Sequence, residues 1–547
     1  MPNLRSITSG IMRFLKSVVP ILALIAFCAI IFTLSLRGIP GNPTTATINE
    51  NMWKDEGPFE LSPERGRFAL MYSLVEDGSY QFSIPIARFA SPDVGYSNGQ
   101  FVSLFAPALS FIIMPGYIIG KTFGVAQVGT YAIISFFAIC NAVLIRKIAM
   151  KLGAHSAAAT IASLLFLFAS PAFAYAVSLY QHHISTFLIL SSIYVLITWK
   201  SLKSLLYVWL ACAFSVMLDN PNFFMMFPIG IFGLTRMISF REIKDKIELN
   251  IKPLGFLTFI IMAIPLAGFM HINFKSYGNP FQLAGTATDD VTVSLNQLLG
   301  LPADIADQNM QRELEEQKTT EPQEKERRSA LSFFKTRNLP NGLYTHLISP
   351  DRGMIMYTPV LLLGFIGILL LVKDFPQYHR LFIALVGVIT LLYSMWGDPY
   401  GGWAFGSRYL IPAYAILSIG ISILITKYRH SFFVLIFILV LGGFSVFVNT
   451  IGATTTNRMP PKVQVLELEE LTGTRQRYTF TRGMEMLNDN RSKSFFFQTI
   501  GYKYVSAWEF AIGIMSMVGV VSFLLLLQLF ITDRKRSFRS YFHRQKR

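Results

Sequence analysis

The sequence predicts an all-α polytopic membrane protein, and three observations support this class. Hydrophobic residues make up 52% of the 547 residues and charged residues only 15%, whereas a soluble chain of this length carries more charge. Apolar runs of about 20 residues, the length that spans a bilayer, recur from end to end. Basic residues cluster between these runs, as they do in cytoplasmic loops. A spanning β-barrel would instead show short segments of alternating hydrophobicity.

The charge balance also fits a membrane protein. The net charge is +16, with 48 Lys and Arg residues against 32 Asp and Glu residues. In a soluble protein this excess would indicate nucleic acid, but basic residues that flank spans contact anionic lipid. We therefore expect membrane lipids as partners and no nucleic acid. Cys28, Cys140 and Cys212 lie far apart inside apolar runs, which predicts neither a disulfide framework nor a zinc site.

Basic clusters set the predicted orientation, because they mark the cytoplasmic side. Arg5, Arg13 and Lys16 precede the first apolar run, which predicts an uncleaved anchor with a cytoplasmic N-terminus. About 12–13 transmembrane helices are predicted. Twelve crossings would place both termini in the cytoplasm. The predicted location is the inner (plasma) membrane. The predicted spans are roughly 17–36, 127–147, 157–178, 183–199, 204–218, 222–236, 254–272, 354–372, 381–397, 408–426, 432–452 and 507–532.

One apolar segment, residues 100–121, does not fit this scheme. A single crossing there would move every later basic cluster to the outer side. We therefore expect the segment to dip into the bilayer and return, or to lie near the outer interface, with Pro107 and Pro115 interrupting it. Alternatively, one of the short spans, 204–218 or 222–236, does not cross.

The predicted topology divides the chain into three parts. Residues 1–452 form a transmembrane module with large outer loops at 37–100 and 273–353. Residues 453–506 form a polar segment at the outer face. Residues 507–547 comprise the last transmembrane helix and a basic cytoplasmic tail.

Seven polar motifs are predicted to lie at the outer membrane face. Polar groups at a membrane edge are costly, so their convergence indicates one functional site there. Alternatively, each motif only closes a turn or caps a helix. The motifs are SPERGRF (62–68), SPDVGYSNG (91–99), YQHH (180–183), LDNPN (218–222), NFKSYGNPF (273–281), LISPDRGM (347–354) and WGDPYGGWAFGSRY (396–409).

Carboxylates of the first outer loop are candidates for a general base. Glu64 begins a predicted amphipathic helix along the outer surface, with Ser62 as its N-cap and Pro63 in its first turn. A carboxylate held above the membrane can deprotonate a hydroxyl, although pairing with the helix dipole also explains Glu64. Asp77 and Asp93 are rival catalytic candidates, and Asp93 also fits a turn.

Cationic and aromatic residues are candidates for binding a phosphate and a sugar. Guanidinium groups present a rigid fork of donors that suits phosphate, and aromatic rings stack on the apolar faces of sugars. Snorkelling of arginines and the aromatic belt of membrane proteins are the structural alternatives. The candidate binding residues are Arg67, His182, His183, Lys275, Arg352, Trp403, Arg408 and Tyr409.

The sequence predicts no cofactor and no metal site. It contains no HExxH, P-loop, GxSxG or EF-hand pattern, so an energy-rich substrate is expected to arrive already activated. Scattered carboxylates can still assemble a site for a divalent metal. A base, several arginines and an aromatic cradle suit transfer of a sugar from a lipid phosphate, with inversion at the anomeric carbon.

The arrangement resembles the GT-C superfamily of membrane glycosyltransferases, which includes protein mannosyltransferases and aminoarabinose transferases. Those enzymes carry a catalytic acidic residue in the first outer loop, often in a DExxY pattern. Here ERGRF (64–68) is similar in place, but Arg65 replaces the second acidic residue and Phe68 the tyrosine. Blocks similar to an uncharacterised bacterial branch extend from about residue 64 to 413. The most specific of these blocks is WGDPYGGWAFGSRYLIP.

This resemblance implies a GT-C-type bundle that uses a polyprenyl-phosphate-linked sugar donor. It implies a glycan, lipid or protein acceptor and an active site on the periplasmic or extracytoplasmic side. The alternatives are a transporter or flippase of lipid-linked sugars, a ligase that uses a diphospholipid donor, and a non-enzymatic assembly subunit. Transporters favour charged groups at the bilayer midplane and repeated halves, whereas the polar groups here gather at one face.

Overall fold

The computed structural model describes residues 4–54, 57–243, 246–287, 299–300 and 334–544. Most of the described secondary structure is helical, which confirms the predicted all-α class. Two short antiparallel hairpins accompany the helices. They are β1 (Val94–Ser97) with β2 (Gln100–Ser103) and β3 (Ile238–Ile243) with β4 (Lys246–Ile251). Residues 288–298 and 301–333 of the second predicted loop lie outside the described residues.

The helices follow the predicted spans closely. The helices of the first half are α1 (Leu4–Ser35), α2 (Ser62–Tyr72), α3 (Ile84–Ala90), α4 (Ala108–Thr122), α5 (Ala126–Lys151), α6 (Ser156–Phe168), α7 (Ala172–Ala176), α8 (His182–Thr198), α9 (Lys203–Leu218), α10 (Asn222–Leu234) and α11 (Ala263–Tyr277). Those of the second half are α12 (Leu339–Leu347), α13 (Met354–Tyr357), α14 (Leu363–Leu369), α15 (Pro376–Ser394), α16 (Ile411–Lys427), α17 (Phe432–Thr454), α18 (Val465–Thr472), α19 (Thr481–Asn488), α20 (Phe495–Thr499) and α21 (Ala507–Arg544).

Six helical stretches in the described residues are long and apolar enough to cross a membrane, which confirms a multi-pass membrane protein. They are Val18–Ser35, Ala126–Lys151, Pro253–Tyr277, Arg408–Lys427, Phe432–Thr454 and Ala507–Ile531. Most of the remaining predicted spans are shorter or broken helices, whereas the span 381–397 falls mostly in the continuous helix α15. Helix α6, for example, ends at Phe168, and the short helix α7 completes the predicted span 157–178.

The polar motifs gather at one end of the helices, which we call the polar end. Here the residues after α1 contact the start of α5 and the end of α17: the Ile39 amide donates to Gln127 Oε1 (3.1 Å), and Arg37 Nη2 donates to the Gly452 carbonyl (2.7 Å). The basic residues Arg146 and Lys151 lie at the opposite end of α5. The separation of polar motifs from basic clusters is therefore a property of the fold.

Helix α2 carries the predicted base but does not lie on the surface. It begins one residue earlier than predicted, because Leu61 rather than Ser62 is the N-cap and Ser62 is the first helical residue. The Phe68 ring contacts Phe89 of α3 and Tyr117 of α4. The predicted position along the outer surface is wrong, since apolar side chains from both neighbouring helices enclose α2.

Helix α4 occupies most of the segment 100–121, whose crossing was in question. Near its start, Ser110 Oγ donates to the Arg67 carbonyl (2.8 Å), and near its end, the Tyr117 hydroxyl donates to Glu76 Oε1 (2.7 Å). Both ends of α4 therefore contact the first predicted loop. That the segment does not cross the membrane stays a prediction.

The polar segment 453–506 folds over the same end of the molecule. Its short helices α18, α19 and α20 connect α17 to α21. The Lys493 amide donates to the Thr454 carbonyl (2.9 Å), and Ser494 Oγ donates to the Leu34 carbonyl (2.5 Å). The segment is thus attached to the ends of α1 and α17.

Helices α4 and α5 approach so closely that only glycine fits between them. A Cβ atom on Gly129 would collide with the Gly116 carbonyl, and the reverse is also true. We predict that Gly129→Ala lowers the free energy of unfolding by about 1–3 kcal/mol, the usual cost of overpacking. Thermal unfolding in detergent measures the change. Gly387→Ala is the control, because that position in α15 has no atom within 4 Å of the added Cβ, and an equal effect there would contradict the prediction.

Candidate active site

The glycine-rich loop between α15 and α16 folds around its own aspartate. Asp398 Oδ2 accepts the Gly402 amide (2.5 Å). Gly401, Gly402 and Gly406 adopt φ values of 71°, 64° and 57°, which favour glycine strongly over other residues. The three glycines therefore permit a compact loop whose carbonyl groups turn toward neighbouring arginines.

Arg352 fastens this loop to the polar segment 453–506. Its side chain is buried. Its Nε donates to the Tyr400 carbonyl (3.2 Å), and its Nη2 donates to the Gly402 and Met459 carbonyls (both 3.0 Å). Its Nη1 donates to the Asp351 carbonyl (2.9 Å). Every nitrogen of this guanidinium is thus engaged with the backbone, whereas the sequence predicted a phosphate contact.

Two other arginines lie against the ring of Tyr180. The guanidinium carbon of Arg408 is 4.8 Å from the ring centroid, and that of Arg67 is 5.4 Å from it. Arg408 Nη2 donates to the Gly401 carbonyl (2.7 Å). Its Nε and Nη1 atoms are buried and make no well-formed hydrogen bond to any described residue, although the Tyr409 side chain lies beside the guanidinium, with its ring centroid 5.4 Å from the guanidinium carbon. Buried cations this close repel each other, so the pair forms a positive site that an anion would stabilise.

Arg67 is held by few contacts of its own. Its Nη1 donates to the Pro63 carbonyl (2.7 Å), and the guanidinium lies 4.3 Å from the Phe105 ring centroid. Burial lowers the pKa of Arg67, the charge of Asp219 opposes this shift, and Arg408 adds to it. The charge of Arg67 is therefore only partly balanced by the protein.

Glu64 lies next to this positive site, on the first turn of α2. Its Oε1 accepts the amide of Leu179, the residue before Tyr180 (3.1 Å). Its Oε2 is buried and has no hydrogen-bond partner among the described residues. The carboxylate is thus fixed in orientation through one oxygen and has a second oxygen available to accept a proton.

Burial raises the pKa of Glu64 from its ordinary value of 4.5 to about 7. The charge of Arg37, the Leu179 amide and Arg67 oppose the shift, and the neighbouring carboxylate of Glu60 adds to it. A carboxylate with a pKa near neutrality accepts a proton well at physiological pH. Glu64 therefore remains a candidate for the predicted general base.

Aromatic rings complete the wall around Arg408. The His182 ring is stacked on Tyr180, with centroids 5.8 Å apart, and lies 6.2 Å from the ring of Tyr409. Tyr409 in turn stacks on Tyr393, with centroids 4.2 Å apart. The structure thus brings together five of the predicted site residues. These are Glu64, Arg67, His182, Arg408 and Tyr409.

Two predicted residues lie on the surface and outside this cluster. Asp77 is exposed at the end of the π-helical turn that follows α2. Lys275 is exposed near the end of α11, where its backbone carbonyl accepts a hydrogen bond from Gln81 (2.7 Å). Neither side chain contacts the arginine pair.

Two further predicted residues point elsewhere. His183 is buried behind the site, where its Nε2 lies 2.8 Å from the Ala172 carbonyl and Asn141 Nδ2 donates to its backbone carbonyl (2.8 Å). Trp403 faces the segment 453–506, and its Nε1 donates to Gln464 Oε1 (3.0 Å). Adjacent residues on a helix point in different directions, so only His182 of the histidine pair faces the arginines.

Asp93 is half-buried at the start of α2, where its Oδ2 accepts a hydrogen bond from Ser62 (2.6 Å). Its charge acts on Arg67, so it remains a second candidate base. No group of three metal-ligating side chains occurs within the part of the chain that the structure describes.

Sequence reasoning missed two residues of the site. The first is Tyr180, whose ring contacts both arginines. The second is Asp219, which accepts a hydrogen bond from Gln181 (2.6 Å) and whose negative charge stabilises the charged form of Arg67. Both residues belong to motifs that were singled out, YQHH and LDNPN. Their distance from Arg67 in the sequence gave no sign that they would meet it.

The fold and site together define a multi-pass helical membrane protein with a buried arginine pair beside a carboxylate. No protein-family model and no curated protein matches the chain. The fold is similar to crystal structures of ArnT from Cupriavidus metallidurans in the apo state and bound to undecaprenyl phosphate. The apo structure has 9% sequence identity and a TM-score of 0.42, with 96% of this chain and 76% of ArnT covered.

The lipid-bound ArnT structure gives similar values. Its sequence identity is 12% and its TM-score 0.45, with 93% of this chain and 76% of ArnT covered. ArnT is an aminoarabinose transferase of the GT-C kind, the superfamily that the sequence blocks resemble. At these identities and TM-scores the likeness assigns neither a substrate nor a site residue to this chain.

The contacts of Arg352 predict a structural role. We expect Arg352→Gln to lower the free energy of unfolding by about 3 kcal/mol or more, because hydrogen bonds to a charged group contribute about 1.5–3 kcal/mol each. Thermal unfolding in detergent measures this loss, with Lys335→Gln, an exposed position, as the control. Unchanged stability together with weaker binding of polyprenyl phosphate would instead show that Arg352 contacts the ligand.

The raised pKa of Glu64 predicts a pH-dependent stability. The folded state holds this proton more tightly, so ionisation of Glu64 destabilises the protein as pH rises from about 4.5 and does so fully above about 7. The shift corresponds to about 3 kcal/mol. Glu64→Gln should therefore raise Tm at pH 8 more than at pH 5, whereas the exposed control Asp77→Asn should not. An equal effect of Glu64→Gln at both values would contradict the shift.

Proposed function

We propose that the chain is an inverting glycosyltransferase of the GT-C kind. It takes a sugar from a polyprenyl-phosphate donor and transfers it to a hydroxyl of a glycan, lipid or protein acceptor. The sequence blocks that resemble the superfamily support this proposal, and so does the chemistry of the site. Glu64 is the base, and Arg67 and Arg408 bind the donor phosphate.

The observation that carries the proposal is the unsatisfied guanidinium of Arg408. Its Nη2 is bound by the Gly401 carbonyl, but buried donors without acceptors, such as Nε and Nη1, are unfavourable unless a ligand supplies the acceptors. Arg67, on the other side of Tyr180, doubles the positive charge. A phosphate accepts several hydrogen bonds from a guanidinium fork, and a monoanionic lipid phosphate suits a membrane site.

In the proposed reaction Glu64 accepts a proton and the two arginines stabilise the leaving phosphate. The acceptor oxygen attacks the anomeric carbon of the sugar and forms the new glycosidic bond, while the bond between that carbon and the phosphate oxygen breaks. The acceptor proton moves to Glu64 Oε2. The bonding electrons leave with the phosphate, whose added negative charge Arg67 and Arg408 stabilise. Because Glu64 is fully buried, neighbouring side chains must move before an acceptor reaches it.

The polar end is proposed to face the outer side of the inner membrane. Basic residues lie at the opposite helix ends, and such residues are retained in the cytoplasm. They include Arg146, Lys151, Lys203, Arg236 and Lys427. A lipid carrier presents its sugar at this outer surface, where no nucleotide-activated donor is available.

A transfer assay with purified protein and radiolabelled polyprenyl-phosphate sugars tests the proposal. We expect Glu64→Gln to lower kcat by about 100-fold or more, the usual contribution of a general base. Arg408→Gln should lower kcat/KM by about 100-fold or more, since its charge acts on the leaving phosphate. Arg408→Lys should restore little, because an ammonium lacks the planar fork.

Asp77→Asn is the control, because it removes an exposed carboxylate of the same loop. If Asp93→Asn abolishes transfer while Glu64→Gln does not, the reaction class stands and the base is Asp93. Three results contradict the proposal. They are transfer from a diphospholipid alone, passage of lipid-linked sugar across vesicles without transfer, and no activity with any donor.

A further inference from the structure

A large cavity lies apart from the arginine pair, between the segment 453–506 and the residues that precede α2. Its volume is 860 Å³. Six cationic side chains line it against three carboxylates. The cations are Arg458, Arg475, Arg477, Arg482, Arg491 and Lys493.

The carboxylates of the cavity are already engaged. Glu60 is buried, its oxygens accept hydrogen bonds from Thr456 Oγ1 and the Asn457 amide (both 2.7 Å), and Arg37 and Lys493 lie 3.6 and 3.9 Å away. Glu60 therefore offsets the charge of Lys493 and of Arg37 behind the wall, and its charge is shared between the two.

The two remaining carboxylates each pair with one arginine. Arg477 pairs with Glu485 (2.8 Å), and Arg491 pairs with Asp489 (3.3 Å). Among the described residues, Arg475 and Arg482 have no carboxylate within ion-pair distance, and Arg482 donates only to neutral oxygens of Gln476 and Arg477. An excess of positive charge is thus left facing the cavity.

The cations crowd one another. Burial lowers the pKa of Arg482, and the charge of Arg458 adds to this shift. Burial likewise lowers the pKa of Lys493, although the charge of Glu60 opposes it. Crowding of like charges costs free energy in the empty cavity, and a bound anion would recover that cost.

Two residues relate the cavity to the chain segments that carry the candidate active site. Trp403, in the glycine-rich loop, has the guanidinium carbons of Arg458 and Arg482 5.2 and 6.0 Å from its ring centroid. Glu60, on the cavity wall, precedes Glu64 closely in the sequence, and the negative charge of Glu60 contributes to the raised pKa of Glu64. A molecule in the cavity would therefore lie close to the chain segment that carries Glu64 and to the glycine-rich loop that carries Arg408.

We propose that this cavity binds the anionic group of the acceptor, a saccharide that carries a phosphate or a carboxylate, either free or attached to a lipid. The inference rests on the proposed glycosyltransferase function and deepens it. The arginine pair holds the donor phosphate, the cavity holds the negative group of the acceptor, and Trp403 lies at the boundary.

Calorimetry on the full chain in detergent tests the inference, with glucose 6-phosphate and glucuronate as probes and glucose as the neutral control. We expect saturable binding of at least one anionic probe and no binding of glucose. Arg475→Gln with Arg482→Gln should weaken that binding about 10-fold or more, because the loss of even one charge-assisted hydrogen bond corresponds to about 1.4 kcal/mol or more. The matched control is Lys462→Gln with Lys503→Gln, which removes two exposed charges of the same segment outside the cavity.

Competition by nanodiscs that contain phosphatidylglycerol distinguishes the two sources of the anion. Displacement of the probe indicates a lipid-linked acceptor, and its absence indicates a free one. The inference is overturned if neither anionic probe binds, or if the arginine variant and the lysine control behave alike. Binding of polyprenyl phosphate to the same samples separates failure of this inference from failure of the proposed function. If the proposed function is right, wild type binds polyprenyl phosphate and the arginine variant retains that binding, whether or not the cavity binds an anionic probe.

Discussion

The burial of two like charges around one tyrosine ring is the constraint on which the polar end of this protein depends. Arg67 comes from an enclosed helix, Arg408 from the start of a predicted span, and Tyr180 from the turn between α7 and α8. Such an arrangement is unfavourable in the low dielectric of a protein interior unless an anion is present. The helices around it supply aromatic faces and backbone groups, and Asp219 opposes the charge of Arg67 without forming an ion pair with it, so part of the positive charge is left for a ligand.

The glycine-rich loop makes this arrangement possible. Left-handed glycines let the loop close over Asp398, and its carbonyl groups then accept hydrogen bonds from Arg352 and Arg408. All the guanidinium nitrogens of Arg352 bind backbone carbonyls, whereas Nε and Nη1 of Arg408 do not. Arg352 therefore holds the loop against the segment 453–506, and Arg408 remains available to bind a ligand. The polar, flexible and aromatic character of residues 396–409 follows from this division.

Much of the fold could be predicted from the sequence, because hydrophobic length and basic clusters report directly on the bilayer. The grouping of the polar motifs at one end followed from the same information. Side-chain direction did not, since it depends on tertiary contacts: Arg352 and Arg408 looked alike in sequence, yet only one has unused donors. Enclosure of α2 was missed for the same reason, because its apolar stripe indicated one buried face while α3 and α4 cover two. Asp219 and Tyr180 acquire their roles only when distant helices bring them to Arg67.

The most direct test of the central claim is a structure of the protein with polyprenyl phosphate bound, determined by electron cryo-microscopy in a lipid nanodisc. The account predicts that the phosphate lies between Arg67 and Arg408, within hydrogen-bond distance of Arg408 Nε and Nη1 and on the same side as Glu64. The account is contradicted if the phosphate binds elsewhere, for example in the cationic cavity of the segment 453–506, and Arg408 Nε and Nη1 still have no hydrogen-bond partner.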